Sequence, residues 1–214
     1  MLTQDQKNKL KVITTPWMEK QPTLTPSKSK WFGKHHAAVF RKLLNSHSQG
    51  LYLELGTWTG MGSTKFVTDN FPEMSLICID TFEGSEEHQR IEAYKPIAAR
   101  LWDHFCSNHW HNRRRLFPIR EDSVTGMLAV EAIGLQPDVI YVDAAHDEES
   151  VYQDVSTAIE CFPDAVIMGD DYVAEGQGHP GVRLGIEKAV AKGLIKKKEF
   201  KHQNRVWYLN RNVK

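Results

Sequence analysis

Two short acidic clusters hold the residues best suited to chemistry. One is Asp143-Ala144-Ala145-His146 and the other is Gly169-Asp170-Asp171-Tyr172. Each follows an apolar run, at residues 139–142 and 165–168, that is short enough to be a buried strand. Three carboxylates at adjacent strand ends repel one another unless a cation or a proton lies between them. Hard oxygen ligands of this kind suit magnesium, manganese or calcium better than a thiolate-seeking metal. His146 stands three residues after Asp143, and an imidazole there could serve as a general base near neutral pH. The plain alternative keeps Asp170 as a cap on the next element and His146 as a satisfied loop histidine.

A second group lies upstream. The apolar run 51–55 leads into Glu54-Leu55-Gly56-Thr57-Trp58-Thr59-Gly60-Met61-Gly62-Ser63-Thr64. Glycines at 56, 60 and 62 allow a tight turn and close approach to a ligand, and Ser63 could cap the following helix. Glu54 offers an acceptor for a cationic amino-acid group. The same loop also reads as a bare strand–helix connection. Trp58 stands where the GxGxxG fingerprint has its second glycine, which argues against a nicotinamide dinucleotide.

The next run, 76–79, ends at Asp80, 24 residues after Gly56. That separation suits a bidentate hydrogen bond to ribose hydroxyls, with a capping or loop aspartate as the alternative. A weaker run, 116–119, leads to Glu121-Asp122-Ser123, which could reach an adenine edge or equally cap a helix.

These residues need elements to hold them. Helical stretches fall between the runs: 35–44 before the first, then 63–70, 89–110, 147–161 and 182–192. Alternating strands and helices predict a parallel sheet covered on both faces, with ligands beyond the carboxyl ends of the strands. The tail predicts two strands, 198–200 and 205–209, around a His-Gln-Asn turn, forming an antiparallel edge hairpin. The first thirty residues are polar, carry Pro16, Pro22 and Pro26, and read as a loosely held arm. The expected division is therefore an arm over 1–34 and one domain over 35–214.

Composition narrows the classes. Lys plus Arg and Asp plus Glu are 27 each, so no net charge draws the chain toward nucleic acid or an anionic membrane. Three cysteines without a CxxC pair exclude a disulfide framework and a cysteine zinc site, and Cys78 reads as core packing. No apolar run has the length of a signal core or a membrane span, so a soluble, cytoplasmic protein is expected.

Taken together, residues 35–192 resemble the class I S-adenosylmethionine (SAM)-dependent methyltransferases. ELGTWTGMGST resembles their first motif, ICIDTFEGSEEH the second-strand motif, and REDSVTGM the adenine-contacting segment. PDVIYVDAAHDEESVYQDVSTAIECFPDAVIMGDDY resembles the small metal-dependent sugar O-methyltransferases of the macrocin and mycinamicin type.

The resemblance implies a Rossmann-like α/β fold, with a mostly parallel seven-stranded sheet, an antiparallel edge hairpin and helices on both faces. It implies SAM bound by Glu54, Gly56, Thr57, Trp58, Gly60 and Ser63, with Asp80 and Thr81 at the ribose, Asp122 and Ser123 at adenine, and Asp143 beside them. It also implies a divalent cation, magnesium first, held by Asp143, Asp170 and Asp171, with His146 as the base. The expected reaction is O-methylation of a small-molecule or sugar hydroxyl. A metal-dependent hydrolase and a non-catalytic SAM-binding scaffold are the rival readings. No membrane partner and no nucleic acid are expected, and a homo-oligomer is left open.

Three features are set aside in the sequence. His35 and His36 are adjacent, so on a helix they diverge and read as a solvated or cofactor-covering face. The basic stretch from His109 to Arg115 reads as a solvated helix end. Leu101, Trp102 and Phe105 read as a buried helix face or part of an acceptor wall.

Overall fold

The computed structural model describes residues 2–24, 31–174 and 178–210. Helix α1 (Gln4–Ile13) and helix α2 (Lys34–Leu44) precede strand β1 (Leu51–Leu55). Helix α3 (Ser63–Asn70) and strand β2 (Ser75–Ile79) follow. Three short helices come next, α4 (Glu86–Arg90), α5 (Lys95–Ala98) and α6 (Leu101–His109), before strand β3 (Leu116–Ile119). The chain continues through α7 (Ser123–Ala132), β4 (Val139–Val142), α8 (Glu148–Cys161), β5 (Val166–Gly169) and α9 (Pro180–Ala191). It closes with β6 (Phe200–Gln203) and β7 (Val206–Leu209).

The seven strands form one sheet in the order β3-β2-β1-β4-β5-β7-β6. The first five are parallel, and β7 pairs antiparallel with both β5 and β6. This is the predicted mostly parallel Rossmann-like sheet with an antiparallel edge. Every residue of β1 and β2 is buried, as expected of strands covered on both faces.

Strand alternation sorts the core into two layers. Leu51, Leu53 and Leu55 pack with α7, α8 and α9 residues such as Val130, Val155 and Ile186. Tyr52 faces the other way, among Phe40 of α2, Val67 of α3 and Phe105 of α6.

Three sequence expectations change. The single helix over 89–110 is broken into three pieces, with Ile91 extended and Pro96 opening α5. Proline lacks the amide that a continuous helix needs, so the chain restarts there. The tail turn is Asn204-Arg205, with Asn204 at φ 57°, and not His-Gln-Asn, so the hairpin register shifts. The amino-terminal segment is not loose either. Helix α1 carries a capping box between Thr3 and Gln6, and Leu10 is fully buried in the core. Thr15 then pairs with the end of β3, donating to the Pro118 carbonyl at 2.7 Å. Pro26 lies outside the described residues.

Among the described residues, no helix is long and apolar enough to cross a membrane. Cys78 is buried, as its apolar surroundings predict.

Candidate active site

The direction of strand addition reverses between β1 and β4, which opens a crevice beyond their carboxyl ends. Leu55 pairs with Val142, so Gly56 and Asp143 leave the sheet side by side. One backbone bond from each end residue to the neighbouring strand fixes the exit points. Gly56 donates to the Ile79 carbonyl at 2.9 Å, Asp80 to Ile119 at 3.2 Å, Asp143 to Leu55 at 2.9 Å and Asp170 to Val142 at 3.2 Å. Above them lies a cleft of about 720 Å³, a volume typical of small-molecule sites. Gly56, Thr57, Trp58, Ser63, Asp80, Thr81, Asp122, Ser123, Asp143, His146, Asp170 and Asp171 all line it.

The glycine loop is held from below by protein. Gly56 has φ +78°, and a Cβ there would fall 2.1 Å from the Asp143 carbonyl oxygen. Gly60 has φ +74°, and a Cβ there would fall 2.3 Å from His109 Nε2. Both positions therefore need glycine, because a Cβ there would meet the neighbouring chain. His109 is buried, and its Nε2–H donates to the Gly60 carbonyl at 2.7 Å. Burial pushes the His109 imidazole down to about 4, so the ring is neutral. Asn108 adds a bond to the Thr59 carbonyl at 2.8 Å.

Asp80 closes the same loop from the other side. One carboxylate oxygen accepts from the Thr57 and Trp58 amides at 2.8 and 2.9 Å, and the other from the Phe82 amide at 2.7 Å. The carboxylate expected at the ribose is thus engaged first with its own loop. Trp58 sits at φ 52° and stacks on His88, with ring centroids 3.9 Å apart.

Glu54 and Gly60 lie behind the loop and outside the cleft wall. Glu54 is fully buried and accepts from the Ser63 and Thr64 hydroxyls. Ser63 therefore binds Glu54 and does not cap α3, whose N-cap is Gly62. Burial pushes the Glu54 carboxyl up to about 8 against the pull of those two hydroxyls.

The acidic clusters meet at the opposite wall. Asp170 is turned inward: its Oδ2 lies 2.9 Å from His36 Nε2 and accepts from the Tyr141 hydroxyl at 3.1 Å. Burial raises the Asp170 carboxyl, but His36, the Asp171 amide and Tyr141 together hold it below its ordinary value. Asp143 moves the other way, pushed up by burial and then by the charges of Asp170 and Asp171.

Asp171, at φ 59°, is ion-paired with Arg205 from the hairpin turn. Its Oδ2 lies 3.2 Å from His146 Nε2 and 3.8 Å from His179 Nε2. His146, Asp171 and His179 present ligand atoms all within 4.8 Å of one another. Asp143 Oδ1 is 3.8 Å from His146 Nε2. The geometry thus gathers Asp171 and His146 with His179, keeps Asp143 near, and sends Asp170 to His36.

At the third end of the cleft, Asp122 caps α7, accepting from the Thr125 amide at 3.0 Å. Ser123 opens that helix. The Thr81 carbonyl accepts from Arg120 Nε at 3.1 Å.

A methyltransferase-domain family model matches residues 53–172, more than half of the chain. The chain belongs to this methyltransferase family. No curated protein matches it in sequence. Among solved structures, the methyltransferase is similar to the calicheamicin methyltransferase CalS11, at 13% identity over 100% of this chain and 95% of that one, with a TM-score of 0.53. It is similar to Rv0187 from MTB at 13% identity over 97% and 88%, with a TM-score of 0.50. It is similar to the mycinamycin-pathway methyltransferase MycE at 15% identity and a TM-score of 0.55, covering 85% of this chain and 50% of that one. At these identities the likeness is one of fold.

The methyltransferase cleft has unmet polar demand. Thr57 Oγ1, His146 Nε2 and Asp154 Oδ2 are buried, belong to residues of its wall, and have no aligned hydrogen-bond partner among the described residues. Such atoms fit a polar ligand.

Several residues of this methyltransferase site escaped the sequence reading. His36 is buried, lies against Asp170 and lines the cleft, so of its two expected roles the solvated face does not hold, and the contact with Asp170 was not foreseen. His109 is buried and holds the loop. Arg115 is half-buried, donating to the Thr68, Phe71 and Met74 carbonyls. The basic stretch is therefore not a solvated helix end throughout. Spacing could have exposed His109, since Leu101, Phe105 and His109 recur every four residues on one helix face.

Proposed function

We propose that the protein transfers the methyl group of SAM to a hydroxyl of a small molecule or sugar, with a divalent cation in the cleft. The observation that carries this reading is the convergence of the Gly56–Trp58 loop, Asp122–Ser123 and the Asp143/His146/Asp171 group on one cleft. SAM supplies an electrophilic methyl group when bound. Thr57 Oγ1, unpartnered in the loop, would hold its amino-acid part, and Thr81 with the outer face of Asp80 its ribose. Asp122 and Ser123 would border its adenine.

Asp143 and Asp171 would hold the cation, with Asp170 behind them and His179 alongside. A bound divalent cation supplies positive charge that eases ionisation of the acceptor hydroxyl. His146 takes the hydroxyl proton at Nε2, which the cleft leaves without an aligned partner. Similar folds support this choice of acceptor: CalS11 is a TDP-rhamnose 3'-O-methyltransferase, and MycE is known in complex with Mg, SAH and Mycinamycin VI.

The test is isothermal titration calorimetry with SAM, with and without magnesium, on wild type and Asp80→Ala. Micromolar binding that the substitution weakens more than about tenfold supports the cofactor site. Absence of SAM binding under both conditions overturns the reading.

A further inference from the structure

Helix α8 carries a carboxyl group that the reading above leaves unused. Asp154 is only 3% exposed, yet it lines the cleft. Its Oδ2 has no hydrogen-bond partner among the described residues. A buried carboxyl with an open oxygen is costly unless a ligand completes it. Its surroundings narrow that ligand. The Ser123 hydroxyl, at the start of α7, is its hydrogen-bonding neighbour. Ile79 and Val124 add apolar surface to the same cleft from the end of β2 and the first turn of α7. A flat heteroaromatic ring with an amino group on its edge matches apolar surface beside one open acceptor.

We infer that Asp154 reads the adenine of bound SAM, its open Oδ2 accepting a hydrogen bond from the 6-amino group. The inference rests on the cofactor reading above. Burial pushes the Asp154 carboxyl up to about 7; the Ser123 hydroxyl opposes this, and Asp122 and Asp147 add to the rise. In its neutral form the group also has a hydroxyl to offer the ring nitrogen beside that amino group. One acceptor and one donor on a planar group is the pattern by which an amide recognises adenine. Asparagine at this position therefore preserves the recognition, and alanine removes it.

The experiment compares S-adenosylhomocysteine with its counterpart in which hydrogen replaces the 6-amino group, by calorimetry on wild type, Asp154→Asn and Asp154→Ala. Wild type is expected to prefer the amino ligand by at least about tenfold, the cost of one unmet buried hydrogen bond. Asp154→Asn is expected to keep that preference and Asp154→Ala to bind both ligands alike. Equal binding of the two ligands by wild type, or an undiminished preference in Asp154→Ala, overturns the inference. The wild-type comparison needs no variant, so it decides even where Asp154→Ala fails to fold. Wild type that binds neither ligand overturns the cofactor reading itself, and this inference with it.

Discussion

The two walls of the cleft are held by different physics. The glycine-loop wall is fixed by a set of hydrogen bonds to one loop: His109 to Gly60, Asn108 to Thr59, and three amides to the Asp80 carboxylate. The acidic wall gathers ionisable groups, with Asp143, Asp170 and Asp171 beside Arg205 and the His36, His146 and His179 rings. The first wall is held from two sides, by His109 and Asn108 on one and Asp80 on the other. In the second, Asp170 is held below its ordinary value and Asp143 is pushed above it, so the three carboxyls do not carry charge alike.

The largest effect that would sharpen this contrast is at His146. His146→Ala is expected to slow turnover by about 10² to 10⁴-fold while leaving SAM affinity intact. A loss of SAM affinity as large as the loss of rate would break the contrast, because the two walls would then act as one.

His109 tests the other wall. Its folded pKa of about 4 lies below the ordinary value, so its contribution to stability is present above pH 6.5 and is lost as pH falls toward 4, by roughly 3 kcal/mol at most. Glutamine can still donate to the Gly60 carbonyl and cannot be protonated. Urea unfolding at pH 7 and pH 4.5 should therefore show a smaller drop for His109→Gln than for wild type. An equal drop would mean that His109 does not set the acid sensitivity of the loop.

Asp80→Ala comes next. It should cost more than about tenfold in SAM affinity, near 1.4 kcal/mol, by freeing the Thr57 and Trp58 amides. Manganese binding, followed by electron paramagnetic resonance, should not move. The smallest effect is at Arg205, which is 46% exposed. Arg205→Ala removes a competing cation and should tighten manganese binding by about two- to fivefold. Weaker manganese binding would show that Arg205 shapes the acidic wall instead of competing for it.

How much of this was legible depended on whether a residue's role is local. The strands could be read because Leu51–Leu55 and Val139–Val142 are apolar runs buried on both faces, and parallel pairing then fixes where Asp80, Asp143 and Asp170 emerge. The acidic clusters could be read for the same reason.

The contact of His36 with Asp170 could not, since nothing in Lys34–Leu44 says that its face meets the end of β5, the fifth strand along the chain; only packing brings the two together. His179 precedes α9 by a single residue and gives no sign of returning to His146. The glycines at 56 and 60 are legible as a turn that needs no side chain, but not the neighbours that a Cβ would meet there, the Asp143 backbone and His109. Sequence shows that a position lacks a side chain, but not what fills the space.

Arg205 has a consequence in time as well as in space. A chain is synthesised from its amino terminus, and a domain folds as a unit. Asp143, Asp170 and Asp171 emerge before the β6–β7 hairpin, so the carboxylates are made before the cation that offsets them. β7 is also the strand that pairs with β5, the strand carrying Asp170 and Asp171 out of the sheet. Closing the hairpin therefore completes the sheet and delivers the counter-charge in one event. On a growing chain, the acidic wall receives Arg205 only when β6 and β7 dock.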